Sequence, residues 1–260
     1  MKAVNQVYTY WESKEPLPAY LKLCMDTWYK NIPDLKVDII NHSNLSAYIG
    51  NDYDIEKLKT FSLPMQSDAV SASVLAKRGG MFIDADTIIT KNIFDDFVNF
   101  APNKFVGFGK PNSKGFHLAV IKSLDPNNPV AKKWSKIIAE RIKNRPENIS
   151  WAYLGNEPLG QVMNDKAFFE EYLIMDRSSY GNILEATIFK EGNPQSDYFN
   201  LYFNDKVNVD EDYAISCAKS GLISLHNSWT PSWYRSIKDE TEVLSQKLLI
   251  SRILKRILSV

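Results

Sequence analysis

The stretch from Gln66 to Asp86 constrains this chain more than any other. Val70, Val74 and Leu75 recur at helical spacing, and Ser67 with Asp68 places a capping hydroxyl and a carboxylate where a helix begins. Arg78-Gly79-Gly80 ends that helix, since glycine supplies the positive φ and sharp reversal that a helix end requires. Met81-Phe82-Ile83 follows without any polar face, as expected of a strand covered on both sides. Directly after it stands Asp84-Ala85-Asp86.

The chain upstream alternates in the same way. Val4 to Tyr10 reads as a strand, Pro18 to Lys30 as a helix with Leu21, Met25 and Trp28 on one side, and Lys36 to Ile40 as a second strand. Strand, helix, strand predicts right-handed crossovers and an α/β fold with a Rossmann-like, mostly parallel central sheet flanked by helices. Beyond residue 100, Lys104 to Phe108 and Phe116 to Ile121 read as strands, and Val130 to Ile142 as a helix. Tyr198 to Asn204 is aromatic and irregular. With no internal repeat or low-complexity linker, residues 1–245 read as one domain and residues 246–260 as an appended helix.

Composition removes several function classes. Lys plus Arg total 31 and Asp plus Glu total 31, so the chain lacks the basic surplus of a general nucleic-acid binder. Cys24 and Cys217 are the two cysteines, too far apart in sequence for a paired zinc spacing, and they suit a reducing cytoplasm. The opening Met1 to Tyr8 is not a signal peptide, and no apolar run reaches the ~18 residues of a membrane span.

An Asp-x-Asp triplet alone usually marks a solvated turn. At the carboxyl end of a strand, however, side chains i and i+2 point the same way, into the region where open α/β sheets gather ligands. Carboxylate oxygens suit Mn²⁺ or Mg²⁺, which could bridge a diphosphate and offset its charge on leaving. Of the three histidines, His42 and His117 read as structural or exposed. His226 differs: apolar Leu222-Ile223-Ser224-Leu225 delivers it, and Asn227-Ser228-Trp229-Thr230-Pro231-Ser232-Trp233 follows. An imidazole beside two carboxylates favours Mn²⁺ over Mg²⁺.

Gln66-Ser67-Asp68 together with Leu75 to Asp86 resembles the capsular-polysaccharide-synthesis branch of the DXD-containing glycosyltransferases, the family-32, Och1-like group. Val7-Tyr8-Thr9-Tyr10-Trp11 and Tyr20 to Trp28 look like that group's first strand and helix, and the likeness returns near residue 226. The resemblance implies a GT-A fold, a nucleotide-sugar donor with uridine as its base, a divalent metal, and retention of anomeric configuration. It implies that Asp84 and Asp86, with Ala85 between them, hold the metal on the donor diphosphate. It makes His226 the third ligand, with Asn227 or Ser228 as alternatives, and Trp229 the ring that closes over the diphosphate, while Trp233 reads equally as packing.

Tyr8, Thr9, Tyr10 and Trp11 resemble the family's base-binding edge; because Tyr10 and Trp11 alternate, one faces the ligand and the other packs. Asp68 matches a family aspartate that contacts the donor sugar, and otherwise reads as a first-turn carboxylate. The arginine usual three residues later is Ser71 here, and Arg78 lies too far along the helix to replace it. Asn156 and Glu157, after Leu154-Gly155, are similar to a loop facing the reacting carbon, and read equally as a helix entry. The expected reaction is hexose transfer to a saccharide or lipid-linked saccharide acceptor in surface polysaccharide synthesis. A metal-dependent phosphohydrolase or nucleotidyltransferase and a catalytically silent sugar-binding scaffold are the rivals.

At the tail, Leu249, Ile250, Ile253, Leu254, Ile257, Leu258 and Val260 fall on one helical side, with Ser251, Arg252, Lys255, Arg256 and Ser259 opposite. Such a helix could lie on an anionic bilayer at the inner face of the cell membrane, or dock on protein. The surface reading is the one carried forward.

Overall fold

The computed structural model describes residues 5–109, 116–176, 184–189, 192–206 and 208–259. The chain forms two compact units, each gathered from separated stretches. Met1–Glu12, Asp34–Asp84 and Val98–Asp176 make the first; Ser13–Pro33, Ala85–Phe97 and Arg177–Val260 make the second. The appended tail is therefore part of the second unit.

The strands, in chain order, are β1 (Asn5–Tyr10), β2 (Leu35–Ile40), β3 (Gly80–Ile83), β4 (Thr87–Ile89), β5 (Phe105–Gly109), β6 (His117–Ser123), β7 (Tyr172–Asp176) and β8 (Leu222–Ser224). Among the described residues, six form the sheet of the first unit in the order β2-β1-β3-β6-β5-β7. β1 runs parallel to β2 and β3, and β5 to β7, while β6 is antiparallel to both β3 and β5. The mostly parallel expectation holds, with β6 as the exception.

One face of this sheet carries Tyr8, Tyr10, Phe82, Phe105 and Ile121, which join one core with Val70 and Val74 of the Leu63–Arg78 helix and Trp134 and Ile138 of the Pro129–Lys143 helix. Burying each large apolar side chain contributes about 1.5–3 kcal/mol, so this face is a major source of the unit's stability. The Leu63–Arg78 helix begins earlier than its sequence suggests. Ser62 occupies the N-cap position and Pro64 the first turn, where its missing N–H costs nothing. Ser67 and Asp68 consequently lie in the second turn, not at the cap. Gly79 at φ 65° and Gly80 at φ 115° make the reversal into β3.

In the second unit, the Ala19–Asn31 helix is fastened along β4. Trp28 Nε1 donates to Thr87 O at 2.6 Å, Asn31 Nδ2 to Ile89 O at 2.9 Å, and Ile89 N to Thr27 Oγ1 at 2.9 Å. β4 pairs antiparallel with β8. The stretch that reads as irregular, Tyr198 to Asn204, instead belongs to the helix Pro194–Phe203. Asn193 caps it by accepting from Ser196 N at 3.0 Å, and Pro194 opens it.

The C-terminal helix spans Leu249–Leu258, and Leu249, Ile250, Ile253, Leu254 and Ile257 are buried. Ser251, expected on the outer side, is also buried and bonds the Tyr234 hydroxyl at 2.9 Å. Arg252 pairs with Glu211 at 2.7 Å and Arg256 with Asp212 at 2.8 Å. Thus the apolar face on which the bilayer reading depends is covered by the second unit itself; Val260 lies outside the described residues. No helix among the described residues is long and apolar enough to cross a membrane. Cys24 is buried and Cys217 half-buried, and both are free thiols.

Candidate active site

The Asp84-Ala85-Asp86 triplet is the turn between two ladders rather than the tip of one strand. Asp84 N donates to Ala119 O at 2.8 Å, adding one rung to the β3–β6 pairing. Leu225 N donates to Asp86 O at 3.1 Å, adding one to the β4–β8 pairing. Side-chain alternation along a continuous strand therefore does not describe these two carboxylates; their placement comes from the turn, with Ala85 buried between them.

Asp86 is tied to the segment after β8. Its Oδ2 accepts from Asn227 N at 2.7 Å, and Asn227 Oδ1 in turn accepts from the Tyr20 hydroxyl. Burial pushes the Asp86 carboxyl up to about 6, against the Asn227 N–H and the neighbouring His226, which pull it down. His226 Nε2 lies 3.2 Å from Glu185 Oε1. The imidazole ring sits 4.2 Å from the Trp229 ring and 5.3 Å from that of Tyr198, whose hydroxyl accepts from His226 N at 3.2 Å. Trp233 touches Phe203 and Tyr234 edge-on and stays half exposed. Among the described residues, no three His, Cys, Asp or Glu side chains are arranged to hold a metal ion.

In the first unit, the ends of β1 and β2 meet the start of the Leu63–Arg78 helix. Gln66 Oε1 accepts from the Tyr10 hydroxyl at 2.6 Å and lies 2.7 Å from His42 Nε2. Tyr10 is thus the packed partner of the alternating pair, and half-buried Trp11 is the other. Tyr8 faces the core against Tyr48, and Thr9 is fully buried on the opposite face.

Half-buried Asp68 stands against Gly155: a Cβ there would lie 2.2 Å from Asp68 Oδ2, so only glycine permits the approach. Burial alone raises the Asp68 carboxyl to about 8. Ser71 is buried and bonds back to Asp68 O at 2.8 Å. Arg78, at the far end of the helix, donates to Ala47 O and lies over the Tyr48 ring.

The Asn156–Asn164 helix begins where the sequence places it. Asn156 Oδ1 accepts from Phe116 N at 3.1 Å, pinning the entry to β6. Glu157 is largely solvent-exposed; the Ser150 hydroxyl and Arg141, at 2.8 Å, hold its carboxyl below the usual carboxylate range. Both residues carry structural bonds that the sequence does not advertise.

Four participants escape sequence reasoning. Glu185 sits in a stretch without periodicity, Tyr198 in the stretch that reads as irregular, and Tyr20 reads only as a helix residue. Gln66 stands in the quoted motif, but nothing marks its side chain as the link between Tyr10 and His42.

Residues 1–177 match the family model described as capsular polysaccharide synthesis protein. The apo-form glycosyltransferase GlyE of Streptococcus pneumoniae TIGR4 is similar in structure over 98% of this chain and 64% of its own, with a TM-score of 0.50 and 11% identity. This chain therefore spans less than two thirds of that protein. The galactosyltransferase LgtC, solved with donor and acceptor sugar analogues, is similar over 98% of this chain and 97% of its own, with a TM-score of 0.44 and 8% identity. PaToxG glycosyltransferase covers 84% of this chain at 15% identity and a TM-score of 0.43. The likeness to the pneumococcal protein makes the fold GT-A-like. No curated protein matches the chain.

Proposed function

The chain belongs to the capsular polysaccharide synthesis protein family, and on that premise we propose that it is a retaining hexosyltransferase. It takes a hexose from a UDP-sugar to a saccharide or lipid-linked saccharide acceptor, with Mn²⁺ or Mg²⁺ at Asp84 and Asp86. The observation that carries this reading is the Asp86 carboxyl: fixed by Asn227 N–H, yet pushed up to about 6 by burial. A half-buried anion held in one orientation carries a desolvation cost that a cation beside it would offset. Carboxylate and imidazole groups such as those of Asp86 and His226 are ligand types that suit Mn²⁺. When bound, the metal supplies positive charge for the departing diphosphate.

The remaining roles belong to this chain's own groups. Trp11, half-buried beyond packed Tyr10, offers the flat apolar surface a uracil needs. Trp229, held 4.2 Å from the His226 ring, excludes water from the diphosphate. Asp68, whose carboxyl burial raises without a compensating partner, accepts a donor-sugar hydroxyl. Because Glu157 is committed to Arg141 and Ser150, same-face attack within an ion pair is favoured over a covalent glycosyl-enzyme. The acceptor's proton then passes to the leaving phosphate oxygen.

The test incubates the protein with a panel of UDP-hexoses and Mn²⁺, following UDP release and the anomer of the newly freed sugar by NMR. UDP with a retained anomer is expected. An inverted anomer refutes retention; sugar phosphate in place of free sugar identifies a phosphohydrolase; no release and no binding identifies a silent scaffold.

A further inference from the structure

Gln66, on the Leu63–Arg78 helix, is only 2% exposed, and both ends of its amide are bonded. Nε2 donates to Phe61 O at 2.7 Å and to Lys59 O at 3.2 Å. Carbonyl oxygens only accept, so the amide cannot be turned over, and Oε1 is the atom that faces Tyr10 and His42. It accepts from the Tyr10 hydroxyl at 2.6 Å and from His42 Nε2 at 2.7 Å. His42 N in turn donates to Glu12 Oε2 at 2.6 Å. Tyr10 directly, and Glu12 through His42, are thus tied to one buried side chain.

Between those two residues stands Trp11. Its main chain is fixed by the bond from Trp11 N to Ile40 O at 2.9 Å. Its indole Nε1 is buried with no hydrogen-bond partner among the described residues, so no polar contact of its own selects the ring's orientation. A methionine would fill the space of Gln66 without burying an amide; what a fully bonded amide adds is one fixed arrangement of its neighbours. We propose that Gln66 is a positioning residue for Trp11: it clamps the residues on either side, so that the indole is already a fixed surface before a nucleotide base arrives. That Trp11 meets the base rests on the proposed function; that Gln66 holds Trp11 does not.

The test uses the full chain carrying 5-fluorotryptophan, read by ¹⁹F NMR. Six tryptophans occur in the sequence, so Trp11→Phe identifies the signal. Wild type without ligand is expected to give one sharp Trp11 line. Gln66→Met keeps bulk and removes the clamp, and should broaden or split that line; Tyr10→Phe, which removes one of the bonds, provides the same reading should the methionine variant fail to fold. With MnCl₂ present, UDP affinity should fall about 2- to 10-fold in the variants, the effect of having to order one loosened side chain, while pyrophosphate affinity stays the same. A wild-type line that is already broad or split overturns the proposal. So does an unchanged line in the variants, even with a lowered melting temperature, because that is how a packing residue behaves. Equal losses of UDP and pyrophosphate affinity overturn it as well. If wild type binds no UDP at all, the proposed function fails, and the Trp11 line still decides the role of Gln66.

Discussion

Replacing Asp68 by asparagine keeps the shape of the side chain and removes one charge from beside Gly155. In the folded protein the Asp68 carboxyl is raised to about 8, whereas its unperturbed value is 3.8. Between those values the folded state holds a proton that the unfolded chain has lost. Unfolding free energy therefore falls as pH rises through this window, with no penalty below 3.8 and the full penalty above about 8. At about 1.4 kcal/mol per tenfold change in acidity, the interval sets a ceiling of roughly 6 kcal/mol. Asp68 keeps partial access to water, so about 2–3 kcal/mol is the expected size. Urea unfolding of wild type and Asp68→Asn from pH 4 to pH 9 isolates this group, because every other carboxylate cancels in the difference. The variant should match wild type near pH 4 and be about 2–3 kcal/mol more stable at pH 9. A difference that is flat with pH, or a variant weaker than wild type at pH 9, would refute the reasoning. The stabilised variant should also bind a UDP-hexose more weakly, most clearly above about pH 8, where the wild-type Asp68 carboxyl carries its charge.

Three further outcomes follow from particular contacts. Glu157→Ala should keep near-normal turnover and cost about 1 kcal/mol, since its carboxyl stands at the surface although Arg141 is mostly covered; turnover lost at unchanged donor affinity would restore it as a nucleophile. Gly155→Ala pushes a Cβ onto Asp68 Oδ2 and the Leu118 side chain, and should cost about 1–3 kcal/mol in a urea titration; an unchanged midpoint would refute that packing. Truncation after Gln246 removes the five buried apolar residues of the last helix, on the order of 10 kcal/mol, comparable with a whole domain's stability. The second unit should then lose its cooperative melt by circular dichroism, and a truncated protein with an unchanged melt would contradict the docked-helix account.

The helix, Gly79-Gly80 reversal, apolar β3 and carboxylate triplet were legible because each has a local cause: periodicity, positive φ and an absence of polar residues. The parallel pairing of β1 with β2 and β3 followed from alternation, whereas β7 left no such signal. The antiparallel β6 did not, since a strand's direction depends on how the chain returns, not on its residues. Helix Pro194–Phe203 was hidden because exposed Phe199 stands beside buried Tyr198 and blurs the i, i+4 repeat of Tyr198 and Tyr202. The tail's apolar stripe was plain in the sequence, but what covers such a stripe is a tertiary fact. At the site, Asp86 and His226 were readable from flanking apolar strands. Asn227 N–H on Asp86 and Glu185 on His226 were not, because both depend on residues brought together across at least 41 positions.

The most direct test of the central claim is thermal stability of the full chain against nucleoside diphosphates and nucleotide sugars, each with Mn²⁺ or with EDTA. A ligand that binds only the folded state raises its melting temperature by mass action. The account expects a shift with the uridine series alone, present with Mn²⁺, absent with EDTA, and lost in Asp86→Asn. A uridine shift that persists in EDTA and in Asp86→Asn would contradict the metal site, and no shift with any nucleotide would contradict the transferase reading itself.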